Sequence, residues 1–423
     1  MKFLVKKQTN KSSLRIGELT TANGKIQTPV FMPVGTVGAV KSVAPWELHD
    51  LGAEIILGNT YHLYLRPGEK LIAELGGLSE YNRWQGPVLT DSGGFQAFSL
   101  GKRNFQFPIS NFQTNSKSEI RNEGKENSLV KITDDGVEFK SYLDGSKHFF
   151  TPEKVIDIQL ALGSNIIMPL DVCPPASELK FEVEKAAGLS IKWLKRSKKH
   201  LDRKFQETRS KSQTNLKSQI INLKPALFGI VQGGIFPDLR KYCAEKMVAM
   251  DLDGYAIGGL AVGEKKKEMF KIVALLNDIL PVEKPRYLMG VGTPEDIIQA
   301  TKLGIDMFDC VLPTRMARHN VAYVKLKTPT GSAKARKNEK LITQYREINL
   351  LNSKYREDKN SLDENCQCPT CKNQFSTSYL SHLVREKEIL GVRLLTLHNL
   401  WTYFALMREI RASIDKRLTI REN

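Results

Sequence analysis

Three cysteines stand in the spacing Cys366-x-Cys368-x2-Cys371, and His398 follows further along the chain. Three thiolates and an imidazole in such a pattern make a closed tetrahedral set for Zn2+. Four protein ligands leave no open position for water, so one structural ion per subunit is expected rather than a catalytic one. His382 lies nearer in sequence but reads as a surface helix residue, and Cys243 and Cys310 read as core thiols.

A second constellation is built from carboxylates and a carboxamide, each placed where an apolar run stops. Asp91 opens DSGGFQ, Asp171 stands in LDVC, Gln232 precedes Gly233-Gly234, Gly258-Gly259 leads into Leu260, and Asp309 stands in FDCVLPTR. A lone Asp at a strand end is ordinarily a helix cap. Five such positions beside glycines point elsewhere, because glycine lets a planar ligand approach backbone N–H and C=O groups. A carboxylate accepts from adjacent N–H donors while a carboxamide donates and accepts, which suits the edge of a purine-like base. Two further carboxylates meet the needs of displacement at an anomeric carbon: one nucleophile and one acid/base.

The elements that must position these groups are written as near-continuous apolar runs at 28–36, 54–62, 86–94, 163–173, 226–234, 254–263, 286–293 and 304–315. Strands buried on both faces require such runs. Helical patterns separate most of them, at 152–162, 238–250, 266–280 and 294–303, and Pro152, Pro237 and Pro294 stand where a first helical turn tolerates proline. The alternation predicts an α/β protein, an irregular (β/α)8 TIM barrel, with a doubly wound open sheet as the rival. In a barrel the strand ends converge on one mouth. Residues 2–27 read as a hairpin turning at Ala22-Asn23-Gly24, an antiparallel cap for the barrel bottom. The catalytic barrel is expected over 1–318 and a zinc-binding subdomain packed on it over 319–423. Polar stretches at 102–128, 207–223 and 328–363 read as surface loops.

Composition restricts the partner. In 423 residues, 63 Lys+Arg against 46 Asp+Glu leave a net charge of +17. An excess of that size favours nucleic acid or an anionic membrane surface. No apolar run approaches the roughly 18 residues of a membrane span, no signal-peptide pattern opens the chain, and no basic amphipathic helix stands out. Six cysteines are too few for a disulfide scaffold, so a reducing, cytoplasmic setting is expected. The cluster from Lys195 to Lys204 reads as a solvated helix face as readily as a binding surface. Lys265, Arg315 and Arg318 adjoin the strand ends, where phosphates flanking a bound base would pass.

Four blocks carry a family resemblance: DSGGFQ at 91–96, FGIVQGG at 228–234, GGLAVGE at 258–264 and DMFDCVLPTR at 306–315. With the cysteine motif they resemble the bacterial tRNA-guanine transglycosylases over most of the chain outside the polar stretches. The resemblance implies that Asp309 is the nucleophile toward the anomeric carbon of the wobble guanosine, in tRNAs with G-U-N anticodons. It implies that Asp91 is the general acid/base. Asp171, Gln232 and the Gly259-Leu260 backbone would recognise the purine, and Phe95 and Met289 would sandwich it. It further implies a covalent Asp–ribose intermediate and exchange of guanine for 7-aminomethyl-7-deazaguanine (preQ1), in queuosine biosynthesis. No cofactor takes part in that chemistry. The partners implied are the tRNA anticodon arm, where a single-stranded loop eases extrusion of the base, and a second copy of the chain in a homodimer. Cys173 and Val262 match the bacterial pattern. Val172 stands where bacterial members usually carry Glu, leaving Glu264 as the carboxylate expected near the aminomethyl group. The rival readings are a relative acting at another tRNA position, a non-catalytic RNA-binding subunit and a zinc hydrolase. No further RNA-binding domain follows the cysteine motif, both Asp91 and Asp309 are retained, and the ligand set is saturated, which oppose them in turn.

Overall fold

Each of the eight apolar runs contains one strand of a closed parallel barrel. The computed structural model describes residues 1–8, 13–101, 130–211, 224–326 and 344–419. Three strands precede the barrel: β1 (Lys2–Gln8), β2 (Arg15–Thr21) and β3 (Gly24–Thr28). The barrel opens with β4 (Val30–Gly35), β5 (Ile56–Gly58) and β6 (Val88–Thr90). An inserted antiparallel sheet follows, formed by β7 (Val130–Ile132), β8 (Val137–Lys140) and β9 (Lys147–Phe150). The barrel resumes with β10 (Ile166–Ile167), β11 (Ala226–Val231), β12 (Gly254–Ile257), β13 (Arg286–Leu288) and β14 (Met307–Cys310). It closes by parallel pairing of β14 with β4, Met307 opposite Val30 and Cys310 opposite Pro33.

Alternation along each strand sorts side chains between two cores. Val30, Met32, Leu57, Ile166, Phe228, Ile230, Tyr287 and Met307 fill the barrel interior. Phe31, Leu288 and Phe308 point outward, into the layer shared with the helices. Those helices include Pro152–Ala161, Lys180–Lys211, Pro237–Val248, Lys266–Ile279 and Pro294–Lys302. Pro152, Pro237 and Pro294 occupy their first turns as expected, and Thr151 and Thr293 cap two of them. Beside β4 the outer layer comes from the long helix Ile389–Thr419, whose Tyr403 packs on Phe31 at a ring distance of 4.7 Å. Among the described residues no helix is long and apolar enough to cross a membrane.

The N-terminal segment departs from the expected hairpin. It is a three-stranded antiparallel sheet in the order β1-β2-β3, with the tight turn at Ala22-Asn23 joining only its last two strands. The extra strand β1 is a short edge with exposed lysines, a pattern that reads weakly as a strand in isolation. The sheet does cap the bottom: Leu19 and Ile26 enter the interior core, and the Asn165 amide donates to Asn23 Oδ1 at 2.6 Å.

Of the polar stretches, 102–128, 212–223 and 328–343 lie outside the described residues. Residues 207–211 continue the helix Lys180–Lys211. The remainder of the third stretch is not a loop. Residues Tyr345–Asn349 form β16, paired antiparallel with β15 (Val321–Lys325), and Leu350, Tyr355 and Leu362 are buried beyond it. Polar residues on the outer face of this segment mask the few apolar ones that anchor it.

Candidate active site

Strand β6 stops at Thr90, and the next residue, Asp91, is held by three donors from neighbouring strand ends. Asn59 Nδ2 donates to its Oδ2 at 2.6 Å, and the amides of Thr60 and Gly93 donate to Oδ1 at 2.9 and 3.2 Å. Gly93 sits at φ 73°, and a Cβ there would lie 2.8 Å from the Tyr61 amide nitrogen, so the turn after Asp91 admits only glycine. Across the mouth, Asp309 is the penultimate residue of β14. Its Oδ1 accepts from the Tyr287 hydroxyl at 2.6 Å and from the Gly290 amide at 2.7 Å. Burial pushes the Asp91 carboxyl up to about 7, against the Thr60 and Gly93 amides, with the charges of Asp309 and Asp171 adding to the rise. Burial also raises Asp309, opposed by the Gly290 and Tyr287 donors. Two carboxyls raised by burial and held by separate sets of donors are the kind of perturbed groups that mark a candidate functional site.

The groups expected at a purine edge lie beside them. Asp171, buried after β10, accepts from Ser92 Oγ at 3.2 Å and from Gln232 Nε2 at 2.7 Å. Burial pushes its carboxyl to about 6 despite those two donors. Gln232, at the end of β11, keeps its buried Oε1 without a hydrogen-bond partner. Gly259, after β12, has φ 62°, and a Cβ on it would meet that same Oε1 at 2.4 Å. Only a glycine backbone can come this close to the carboxamide. Leu260 is buried, Phe95 is 40% exposed at the start of the helix Gly94–Gly101, and Met289 is half-buried at the end of β13. Glu264 accepts from the amides of Ala261 and Val262, and Val172 is buried with its amide on Ser190 Oγ at 3.0 Å.

A family model for queuine tRNA-ribosyltransferases matches residues 10–419. The chain belongs to the queuine tRNA-ribosyltransferase family. Members are pentosyltransferases, and full-length relatives agree with the assignment. A queuine tRNA-ribosyltransferase of Caldanaerobacter subterraneus subsp. tengcongensis is 48% identical over 424 residues, covering 100% of this chain and 96% of the relative. One from Thermoanaerobacter pseudethanolicus is 47% identical over 414 residues, covering 98% and 93%. One from Dictyoglomus turgidum is 44% identical over 414 residues, covering 98% and 91%.

Within this family framework, two site residues were not apparent in the sequence. Tyr287 lies inside the barrel and reaches Asp309 from the adjacent strand; its only signal was a hydroxyl-bearing aromatic in an otherwise aliphatic run. Arg240 stands between charged and polar residues on the helix Pro237–Val248, with no local signal to single it out, yet is fully buried behind Gln232 and Gly259. The expected basic residues lie on the helices that follow two of the strand ends. Lys265 is exposed at the start of the helix Lys266–Ile279, and Arg315 and Arg318 lie on the short helix Leu312–Arg318 that follows Asp309. Burial lowers the Arg318 guanidinium, and the like charge of Arg315 adds to this. Much of the Lys195–Lys204 cluster is paired on its own surface, Arg196 with Glu153, Lys198 with Asp202 and Lys204 with Asp157.

The cysteine motif forms a cluster apart from the mouth. The ligand atoms of Cys366, Cys368, Cys371 and His398 all lie within 4.8 Å of one another. His398 Nδ1 is 3.7, 3.4 and 3.4 Å from the three sulfurs, spacings that fit tetrahedral bonds of about 2.3 Å to sulfur and 2.1 Å to nitrogen. The other ring nitrogen, Nε2, lies 2.8 Å from the Tyr323 carbonyl oxygen, which fixes Nδ1 as the ligating atom. The cluster can hold a metal ion with no position open to water. His382 is exposed and outside it, and Cys243 and Cys310 are buried in the core as expected.

Proposed function

We propose that the chain exchanges guanine at the anticodon wobble position of tRNA for a 7-deazaguanine base, with preQ1 as the incoming base in queuosine biosynthesis. The observation that carries this reading is the pairing of Asp309, fixed through one oxygen by Tyr287 and Gly290, with a raised Asp91 across the cleft. The free Asp309 oxygen attacks the ribose anomeric carbon as its bond to guanine breaks, and Asp91 supplies the proton that the leaving base takes up. The incoming base then loses a proton to Asp91, its ring nitrogen forms the new glycosidic bond, and the Asp309–ribose ester breaks. Asp171, Gln232, Gly259 and Leu260 read the purine edge, and Phe95 and Met289 stack on its two faces. Lys265, Arg315 and Arg318 hold the phosphates of the anticodon arm.

In this reading residues 1–318 form the catalytic barrel and 319–423 a subdomain with one Zn2+ per subunit, held by Cys366, Cys368, Cys371 and His398. When bound, the ion cross-links the chain and takes no part in the displacement. The protein acts in the cytoplasm as a homodimer. Val172 removes one carboxylate from the neighbourhood of the base, so exchange rates for preQ1, its 7-cyano precursor, queuine and guanine compared side by side define the preferred base. The deciding test is incorporation of labelled guanine or preQ1 into a tRNA with a G-U-N anticodon. Asp309→Asn is expected to abolish the RNA adduct that survives denaturing gels. No exchange by pure, zinc-loaded protein overturns the reading, and an adduct that persists in the variant moves the nucleophile elsewhere.

A further inference from the structure

Arg240 is fully buried, and among the described residues its guanidinium bonds only to backbone carbonyls, with no carboxylate paired to it. Its guanidinium is spent on backbone. Nε donates to Gly234 O at 2.7 Å, Nη1 to Val231 O at 2.6 Å and Gly258 O at 2.7 Å, and Nη2 to Gly259 O at 3.1 Å. These four carbonyls come from the ends of two adjacent strands, β11 and β12. Val231 and Gly234 bracket Gln232, and Gly258 and Gly259 are the backbone lying against its carboxamide. A buried cation unpaired by a carboxylate is costly, and nothing in the packing of a TIM barrel requires one here. Only the planar five-donor fork of arginine can serve four carbonyls spread over two loops at once.

We infer that Arg240 is a positioning residue for base recognition: it sets the spacing between the Gln232 carboxamide and the Gly259 backbone without touching the base. The inference rests on the functional reading above. The fork holds the two strand ends at the separation that leaves Gln232 Oε1 buried and unpartnered beside Gly259, with Nε2 on Asp171. Removing it lets the two loops drift apart, so the groups that meet the purine edge no longer face it together. Chemistry at Asp91 and Asp309, whose own donors are Asn59, Thr60, Gly93, Tyr287 and Gly290, does not depend on it.

The test uses full-length, zinc-loaded Arg240→Lys and Arg240→Met. Guanine exchange gives KM for free guanine, KM for tRNA and kcat, calorimetry gives guanine binding directly, and thermal melting reports the fold. Arg240→Met is expected to raise KM and Kd for guanine at least about tenfold while KM for tRNA changes less than about twofold. Arg240→Lys, which keeps the charge but not the fork, should fall between wild type and Arg240→Met. Folded variants with unchanged guanine binding, or with a loss confined to kcat, overturn the inference. Unfolding of both variants also overturns it, since Arg240 would then serve the fold alone. Failure of wild type to exchange or bind guanine defeats the functional reading and this inference with it. Wild-type activity matched by the variants defeats the inference alone.

Discussion

Tyr287 and Asp309 are joined by a 2.6 Å hydrogen bond between neighbouring barrel strands, on the same carboxylate oxygen that takes the Gly290 amide. Both donors engage Oδ1. Oδ2 accepts from none of the described residues, so the carboxylate is oriented with one oxygen available to an electrophile.

Tyr287→Phe removes one of those donors without changing the ring. Because the Tyr287 hydroxyl lowers the Asp309 carboxyl against its burial, its loss raises that carboxyl further. The acidic limb of the pH–rate profile should move upward and kcat fall about five- to tenfold, the net worth of one hydrogen bond. An unchanged profile would show that Gly290 alone orients the carboxylate.

Asp91, pushed up to about 7, should make the two half-reactions respond to pH in opposite directions. Release of guanine needs its proton and slows above pH about 7; capture of the incoming base needs the carboxylate and slows below it. Single-turnover measurements of adduct formation and adduct breakdown separate the two, and Asp91→Asn should remove both inflections.

The same residue links stability to pH. Its folded-state value lies above the ordinary 3.8, so the protonated form is favoured by the fold. That stabilisation is complete below pH about 4 and is lost as pH rises through about 7. Asp91→Asn should therefore be more stable than wild type at pH 8, on the order of 1–2 kcal/mol, with the gap closing toward pH 4. Equal urea midpoints at pH 8 would count against an uncomfortable buried charge.

Metal removal should act on the fold. Chelation or Cys368→Ala is expected to release one equivalent of zinc and lower Tm by more than about 5 °C, while kcat per folded molecule at low temperature stays near wild type. Elemental analysis with thermal melting checks this. A selective loss of chemistry with Tm unchanged would assign the ion a different role.

At the barrel bottom, Asp306 takes Arg15 Nε at 2.9 Å, a second Arg15 nitrogen, and the Arg286 amide at 2.8 Å, all out of contact with water. Asp306→Ala leaves the Arg15 guanidinium buried and unpaired, which costs about 3–5 kcal/mol. The double substitution Arg15→Met with Asp306→Leu should recover most of that loss in urea unfolding. Exchange kinetics at permissive temperature should be unaffected, because the pair lies at the end opposite the mouth.

The barrel was legible because strands buried on both faces have no polar alternation to hide them, and their ends announced Asp91, Asp171, Gln232, Gly259 and Asp309. The cluster of Cys366, Cys368, Cys371 and His398 was legible from spacing alone. Groups that act through others were not. Arg240 comes from a helix and serves carbonyls, so neither periodicity nor neighbours mark it, and Tyr287 points inward where any large apolar side chain would satisfy the pattern. The strand Tyr345–Asn349 was hidden for a different reason: only Ile348 of its five residues is buried, so its composition is that of a loop.

The helix Ile389–Thr419 ties together parts of the chain that lie far apart in sequence. It carries His398 of the cysteine cluster, its Tyr403 hydroxyl donates to Gly292 O at 3.1 Å, and its Arg411 donates to the carbonyls of Gln27 and Pro29 at 2.9 and 2.8 Å. The outer wall over β4, the first stave of the barrel, is thus made by a segment more than 350 residues away along the chain. Its docking covers Phe31 and its neighbours, and its Tyr403 shares the Gly292 carbonyl with Cys310, two residues beyond the Gly290 that donates to Asp309. One helix thus supports the cysteine cluster, the wall over β4 and the barrel bottom at once.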